Sequence, residues 1–131
     1  MHALTHLKLL ISLAQVDGRV ADREKNYILN IGKANGVSED QLQNLFKKEH
    51  EVILPKDLSK DEKFDCIYTL VQLMKIDERM YQEEIRFCAE IASRLGYEQE
   101  VLAELMLQVK GNSMEAKEIL RLKTITEKFL K

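Results

Sequence analysis

The amino-acid sequence predicts an all-α fold, a single-domain bundle of about seven helices. Apolar residues recur at spacings of three and four along most of the chain, residues with high helix propensity dominate, and Pro55 is the only proline. A chain of 131 residues is typical of one domain, here residues 1–131, and is long enough to bury a contiguous core without a disulfide or a structural metal.

Two helices open the chain, and a glycine marks the end of each. The first runs from about residue 4 to residue 16 and is apolar on most faces, which favours a position in the middle of a bundle. It should end near Gly18, because glycine adopts without strain the left-handed conformation that closes a helix. The second should run from about Asp22 to Asn35 and end at Gly36.

A third helix and a crossover complete the first half. Ser38 and Gln41 form a capping box, in which each side chain bonds to the backbone N–H of the other residue, so a helix should begin at Ser38. Pro55 interrupts any later helix. We therefore assign residues 4–50 to a first repeat and residues 51–58 to a crossover whose apolar side chains lie against the core.

The second half, about residues 59–110, follows the same plan. Ser59 and Glu62 form a capping box that opens a widely apolar fourth helix, which should end at Asp77. The fifth helix should run from about residue 82 to residue 95, where Gly96 closes it, and a sixth helix follows.

A last helix, about residues 113–130, has no counterpart in the first half. Asn112 and Glu115 predict its capping box. Its basic side chains alternate with glutamates, which is more typical of a solvated outer face than of a membrane-binding or acidic-partner surface. We expect this helix to seal the end of the bundle.

The two halves align without a gap when the chain is shifted by sixty residues. The matched positions include the following pairs: Leu10 and Leu70, Asp17 and Asp77, Arg19 and Arg79, Glu24 and Glu84, Ile31 and Ile91, Gly36 and Gly96, Leu42 and Leu102. Leucine stripes align easily by chance, but shared acids, arginine and closing glycine do not. The alignment predicts two three-helix units, related by a pseudo-twofold axis, that share one core.

The motif Asp17-Gly18-Arg19-Val20, followed by Glu24, resembles the signature of the TerB-like family, which includes the tellurite-resistance protein TerB and the N-terminal domain of a DnaJ-like co-chaperone. The resemblance covers roughly residues 4–110, and the second copy has Glu78 where the glycine would stand. It implies an all-α fold, no established enzymatic activity and acidic positions proposed to bind metal. A role in stress response or tellurite resistance follows only from the family.

The candidate metal ligands are Asp17, Glu24, Asp77 and Glu84, with Glu78 as a further carboxylate. Each pair spans a turn between two helices, where carboxylates and backbone carbonyls suit a divalent cation such as Ca²⁺, Mg²⁺, Mn²⁺ or Zn²⁺. The spacing is not that of an EF-hand loop. In the alternative, the same acids are helix caps that favour the positive end of the helix dipole.

The turn acids therefore leave two functions open. In the first, the chain is a small cation-binding protein. In the second, it is a metal-free interaction module that receives a protein partner, or a second copy of itself as a homodimer, in a groove between the repeats. Nucleophilic catalysis needs a nucleophile with a general base, and the sequence has no such pair at a recognisable motif spacing. We therefore expect a non-enzymatic protein.

The remaining candidate residues predict little chemistry. Cys66 and Cys88 belong to no CxxC pair and are expected to be buried free thiols. His2 and His6 stand four apart, a metal-compatible spacing, but have no third ligand nearby. His50 is expected at a helix end.

Charge and hydropathy argue against nucleic-acid-binding, secreted and membrane-spanning classes of protein. Twenty basic residues against 22 acids give a net charge of −2, which lacks the basic footprint of a nucleic-acid-binding domain. The N-terminus is not that of a signal peptide, and no apolar run approaches the roughly 20 residues of a membrane span. These features predict a cytoplasmic protein.

Overall fold

The computed structural model describes residues 3–16, 20–48, 50, 54–76, 82–110 and 114–131. Within these ranges the chain is all-helical, as predicted, and has seven α-helices. They are α1 (Ala3–Gln15), α2 (Asp22–Ala34), α3 (Glu39–Phe46), α4 (Lys60–Ile76), α5 (Gln82–Arg94), α6 (Glu100–Gln108) and α7 (Ala116–Glu127). The first helix differs from prediction by one residue at each end, and the second and fifth helices end one residue earlier than predicted.

Local signals account for most of these boundaries. Ser38 accepts a hydrogen bond from Gln41 N at 3.3 Å, while Gln41 Oε1 accepts one from Ser38 N at 3.2 Å. Ser59 and Glu62 exchange the same pair of bonds at the start of α4. Gly36 and Gly96 have φ angles of +80° and +95°, in the left-handed region. The capping boxes predicted at Ser38 and Ser59 and the closing glycines predicted at Gly36 and Gly96 are confirmed, whereas the closing glycine predicted at Gly18 lies outside the described residues.

The helices α1 and α4 pack against each other at the centre of the molecule. Both contribute fully buried apolar side chains on several faces, among them Leu10, Ile11, Leu70 and Val71. Such widely apolar helices require covering elements on more than one side. The bundle provides them, because α2 lies on α1 and α4, α5 lies on α4 and α1, α3 covers α1 and α2, and α6 covers α4 and α5.

The last helix, α7, docks on α4 and α6. Leu122 and Thr126 are buried in this contact, and the Lys123 ammonium lies 2.6 Å from the Asp61 carboxylate. Beyond the helix, Tyr97 and Leu130 form an antiparallel bridge. The C-terminal residues are thereby fixed to the chain that follows α5.

The predicted limits of the last helix are wrong at both ends. Asn112 lies outside the described residues, and the N-cap is Glu115, whose backbone N–H donates to Glu118 Oε1 at 3.2 Å. Two pairs of residues in this stretch of sequence have the spacing of a capping box, Asn112 with Glu115 and Glu115 with Glu118. The later pair is stabilised by a second bond, from the Lys110 ammonium to Glu118 at 2.9 Å. The helix ends at Glu127, after which the N–H groups of Lys128, Phe129 and Leu130 donate to carbonyls three residues back and the N–H of Lys131 donates to Gly96 O.

The crossover lies against the core over the part that the structure describes. Leu54 and Leu58 are half-buried and pack against the main cluster of buried side chains. Residues 51–53 lie outside the described ranges, as does Asp77, the predicted end of α4. The crossover therefore forms one wall of the bundle beside α1 and α4.

Candidate functional site

Two of the predicted acids, Glu24 and Glu84, are described, whereas Asp17, Asp77 and Glu78 lie outside the described residues. Glu24 is the third residue of α2 and Glu84 is the third residue of α5. Both side chains are buried, with 6% and 5% of their surface exposed. The two glutamates thus share a helix position and an environment.

Glu24 caps its helix, as one of the two sequence hypotheses predicts. The backbone N–H of Ala21 donates to Glu24 Oε1 at 3.3 Å. Three other helices have the same bond at 3.2 Å, accepted by Gln41, Glu62 and Glu118 at the third helical position. None of those three is buried, so capping alone does not require the burial of Glu24.

The burial of these two carboxylates therefore has a cause other than helix capping. An ionised carboxylate is costly to bury unless it is paired and hydrogen-bonded, and both glutamates do interact with further groups of the chain. The charge of Glu84 affects a side chain inside the bundle. The pKa of the Cys88 thiol is raised to about 12, mainly by burial and to a smaller extent by the Glu84 charge. A carboxylate also has two oxygens with several acceptor sites, so one capping bond uses only part of its capacity.

The two glutamates belong to separate places in the fold. In the described part of the chain, α2 and α5 do not pack against each other. Among the described residues no group of three or more histidines, cysteines, aspartates and glutamates is placed to hold a metal ion. Among the described residues, Glu24 and Glu84 are therefore the only members of the candidate ligand set, and they lie on helices that do not contact each other.

Of the two histidines that the structure describes, His6 is buried in the bundle and His50 lies after the end of α3. His2 lies outside the described residues, and His6 is buried, with Nε2 2.6 Å from Thr69 Oγ1. The Thr69 hydroxyl donates to Asp65 O at 2.7 Å, so Nε2 of His6 is the donor to Thr69. Burial lowers the pKa of His6 to about 4, which keeps the ring neutral at pH 7. His50 Nε2 bonds Leu45 O at 2.7 Å at the end of α3, as expected.

The cysteines are buried free thiols, as predicted. Burial is the largest effect on both, and it raises the pKa of Cys66 and of Cys88 to about 12. Both thiols are therefore protonated at neutral pH and lack the thiolate character of a reactive cysteine.

A buried polar network connects α2, α4 and the chain after α6, and the sequence did not predict it. The Tyr27 hydroxyl donates to Gln72 Oε1 at 2.6 Å. Gln72 Nε2 in turn donates to the Tyr68 hydroxyl at 3.2 Å and to Lys110 O at 3.3 Å. Burial, with a contribution from Tyr68, raises the pKa of Tyr27. The sequence feature that could have indicated this network is Gln72, a polar residue within the apolar run of α4.

A surface groove lies between the crossover and the end of α5, and it too was missed. Its volume is about 500 Å³. It is lined by Leu54, Pro55, Lys56, Leu58, Lys63, Arg94, Leu95 and Gly96. The apolar residues around Pro55 predicted contact with the core, but no local pattern brings Lys63 and Arg94 beside them.

Comparison with known proteins gives no family assignment. No family model matches the chain, and neither the curated proteins nor the solved structures include a significant match. Within the described ranges, none of the helices has the length and apolar character needed to cross a bilayer.

Proposed function

We propose that this chain is a non-enzymatic, TerB-like helical protein that binds a divalent cation at the turns before α2 and α5. The observation that carries the proposal is the burial of Glu24 and Glu84, at 6% and 5% exposure, at the same position of their helices. Glu62 and Glu118, which cap α4 and α7 from the same helical position, are more exposed. A role in stress or tellurite resistance is what the family resemblance would imply.

The proposed ligands are Asp17 with Glu24 at the first turn and Asp77 with Glu84 at the second, where Glu78 adds a carboxylate. Oxygen ligands from carboxylates and turn carbonyls suit Ca²⁺ or Mg²⁺, and Mn²⁺ and Zn²⁺ also accept carboxylates. Two local sites, instead of one shared site, agree with the separation of α2 from α5.

Two equivalent sites require two equivalent three-helix units, and several contacts support such a repeat. Gln15 Nε2 donates to Phe46 O at 3.0 Å, and sixty residues later Lys75 Nζ donates to Met106 O at 2.5 Å. Each bond connects the end of a central helix to the end of the third helix in its unit.

The ends of the second helices support the same relation. The N–H of Val37 donates to Gly32 O at 3.0 Å, and the N–H of Tyr97 donates to Ala92 O at the same distance. In both places the bond encloses a left-handed glycine.

A second candidate is a metal-free interaction module in which the turn acids are structural. The bond from Ala21 N to Glu24 Oε1 favours it, because the carboxylate already has a helix-capping role. Its function would then lie in a groove that receives a protein partner or a second copy of the chain.

Thermal melts with and without metal separate the two candidates. The protein is stripped with EDTA and melted in Ca²⁺, Mg²⁺, Mn²⁺ or Zn²⁺. A cation that binds only the folded state stabilises it by about 2.7 kcal/mol per site at one hundred times Kd. We expect at least one cation to raise Tm, and Glu24→Gln/Glu84→Gln to abolish the shift, as should Asp17→Asn/Asp77→Asn.

The matched control is Glu62→Gln/Glu118→Gln. It makes the same substitution at the same helical position, where the glutamates cap α4 and α7 but are less buried. This variant should keep the full metal-dependent shift. No shift in the parent protein, or an equal loss of shift in the control, contradicts cation binding and leaves the metal-free module.

A further inference from the structure

The groove between the crossover and α5 combines an apolar floor with a basic rim. Leu95 is buried, and Leu54 and Leu58 are half-buried, so their exposed surface forms the floor. Lys56, Lys63 and Arg94 supply the polar lining. Among the described residues no carboxylate lines the groove, although the whole chain has a net charge of −2. The groove is thus a local basic region on a slightly acidic protein.

The lysine of α4 stands over the end of α5. Lys63 Nζ is 3.9 Å from the place that a Cβ of Gly96 would occupy. The negative end of a helix dipole favours cations there and would by itself repel an anion. However, Gly96 O already accepts a hydrogen bond from Lys131 N at 2.8 Å, so this carbonyl is satisfied. The ammonium of Lys63 thus lies beside the end of α5, where the helix dipole favours a cation.

The floor of the groove has a cavity behind it. Leu54, Pro55 and Leu58 also line a small internal cavity of about 10 Å³, whose other walls include Leu9, His6 and Cys66. Close packing would leave no such space. The crossover thus separates the surface groove from a second, smaller space beside α1 and α4.

We propose that this groove binds a small amphiphilic carboxylate, an anion carried on an alkyl chain. The carboxylate lies between Lys56 and Lys63, and the chain lies on Leu54, Leu58 and Leu95. The volume of about 500 Å³ falls within the range of small-molecule sites. An inorganic anion would leave the apolar floor uncovered, whereas a neutral alkyl compound would offer no anionic group to the ammonium groups of Lys56 and Lys63. The site does not depend on the proposed cation.

Octanoate is the probe, titrated into ¹⁵N-labelled full-length protein and followed by amide chemical shifts. Acetate and octan-1-ol at equal concentration test the alkyl chain and the charge separately, and each titration is repeated in EDTA. We expect octanoate to shift the amide signals of Leu58, Lys63, Leu95 and Gly96 in a saturable way, with or without EDTA. Acetate and octan-1-ol should produce much smaller shifts at these residues.

Charge reversal tests the rim. Lys56→Glu/Lys63→Glu should weaken octanoate binding at least about tenfold, because each exposed ion pair contributes up to about 1 kcal/mol. The matched control, Lys8→Glu/Lys117→Glu, makes the same change in net charge at exposed residues outside the groove and should stay within about twofold of the parent. If the charge-reversed variant does not fold, Lys56→Gln/Lys63→Gln replaces it, with about a threefold loss expected.

Several results would overturn the proposal. These are shifts that fall outside the groove, equal shifts with acetate or octan-1-ol, and equal binding by the groove variant and its control. Tighter binding of the capped peptide acetyl-Glu-Leu-Glu-amide than of octanoate would assign the groove to an acidic protein segment. Because the titration works in EDTA, loss of the cation proposal would leave this result unchanged.

Discussion

Gln15 and Lys75 hold equivalent places in α1 and α4, and both donate to a backbone carbonyl at the end of the third helix of their segment. Ser12 and Gln72, one turn earlier, behave differently. Gln72 accepts from Tyr27 at 2.6 Å, whereas the Ser12 hydroxyl is buried and has no hydrogen-bond partner in the described part of the chain. The residue equivalent to Tyr27 is Phe87, which has no hydroxyl to donate.

The two three-helix segments of the proposed repeat differ at this contact. Within the segments, Gln15 and Lys75, sixty residues apart, donate to two carbonyls that are also sixty residues apart, Phe46 O and Met106 O. The contact between Tyr27 of α2 and Gln72 of α4 joins the two segments, and there one side has a polar pair and the other does not. The contacts between the segments thus differ chemically at these two positions. Four predictions test this asymmetry, in order of decreasing effect.

The largest effect is expected at His6, whose equivalent in α4 is Cys66. Its folded-state pKa of about 4 lies below the 6.5 of an exposed histidine. Between these values the unfolded chain binds a proton that the folded chain does not, so stability falls as the pH falls from about 6.5 to about 4. The total loss is about 3 kcal/mol, at about 1.4 kcal/mol per pH unit. Urea unfolding at several pH values measures it.

The comparison variant is His6→Gln, which can donate to Thr69 but does not titrate. Burial raises the pKa of Asp65 and so changes acid stability in the opposite direction, which makes the difference between parent and variant the useful quantity. That difference should change by about 2 kcal/mol between pH 6.5 and pH 5. A constant difference would mean that His6 is not a buried neutral ring.

The next effect is expected at Gly32, whose equivalent in α5 is Ala92. A Cβ at Gly32 would stand 2.5 Å and 2.8 Å from the two methyl carbons of Leu42, which is fully buried. Overpacking of this kind costs about 1–3 kcal/mol and outweighs the gain in helix propensity. We expect Gly32→Ala to destabilise the protein by about 2 kcal/mol in chemical unfolding.

The reverse substitution, Ala92→Gly, should also destabilise, by about 1 kcal/mol, because it removes a methyl group that α5 accommodates and lowers helix propensity. Gly32→Ala with Leu42→Val should lose less than the sum of the single changes. If Gly32→Ala raised stability instead, Leu42 would have room to move, and the two segments would pack alike here.

The sequence was sufficient where a structure depends on neighbours in the chain. The starts of α3 and α4 and the glycines that end α2 and α5 were predicted because their bonds join residues within about five positions. The start of the last helix was predicted at the wrong pair, because Asn112 with Glu115 and Glu115 with Glu118 both have the local spacing of a capping box.

The candidate sites were only partly predictable. The position of Glu24 in the first turn of α2 follows from the sequence, but its burial depends on how α2 packs on α1 and α4. Tyr27 meets Gln72 across 45 positions of sequence, and His6 meets Thr69 across 63. No local pattern specifies such pairs, and the basic groove is likewise formed only when α4, α5 and the crossover come together.

A smaller effect is expected from Tyr27→Phe, which makes α2 resemble α5 at this position. The change removes the hydroxyl that donates to Gln72 Oε1 at 2.6 Å and leaves the rest of the ring in place. Loss of one buried hydrogen bond costs about 1–2 kcal/mol. Urea unfolding should show this loss with an unchanged m-value. Gln72→Leu in the Tyr27→Phe background should destabilise the protein further, because it also removes the hydrogen bonds from Gln72 Nε2 to the Tyr68 hydroxyl and Lys110 O.

The smallest effect, and the most direct test of the pseudo-twofold relation, is expected from Phe87→Tyr. If α5 lies on α1 as α2 lies on α4, the new hydroxyl reaches the buried Ser12 side chain and supplies the partner it lacks in the described structure. A net gain of up to about 1 kcal/mol follows for one added hydrogen bond. The gain should disappear in Phe87→Tyr/Ser12→Ala, whereas Ser12→Ala alone should be nearly neutral. A loss of stability that does not depend on residue 12 would show that the two interfaces have different geometry as well as different side chains.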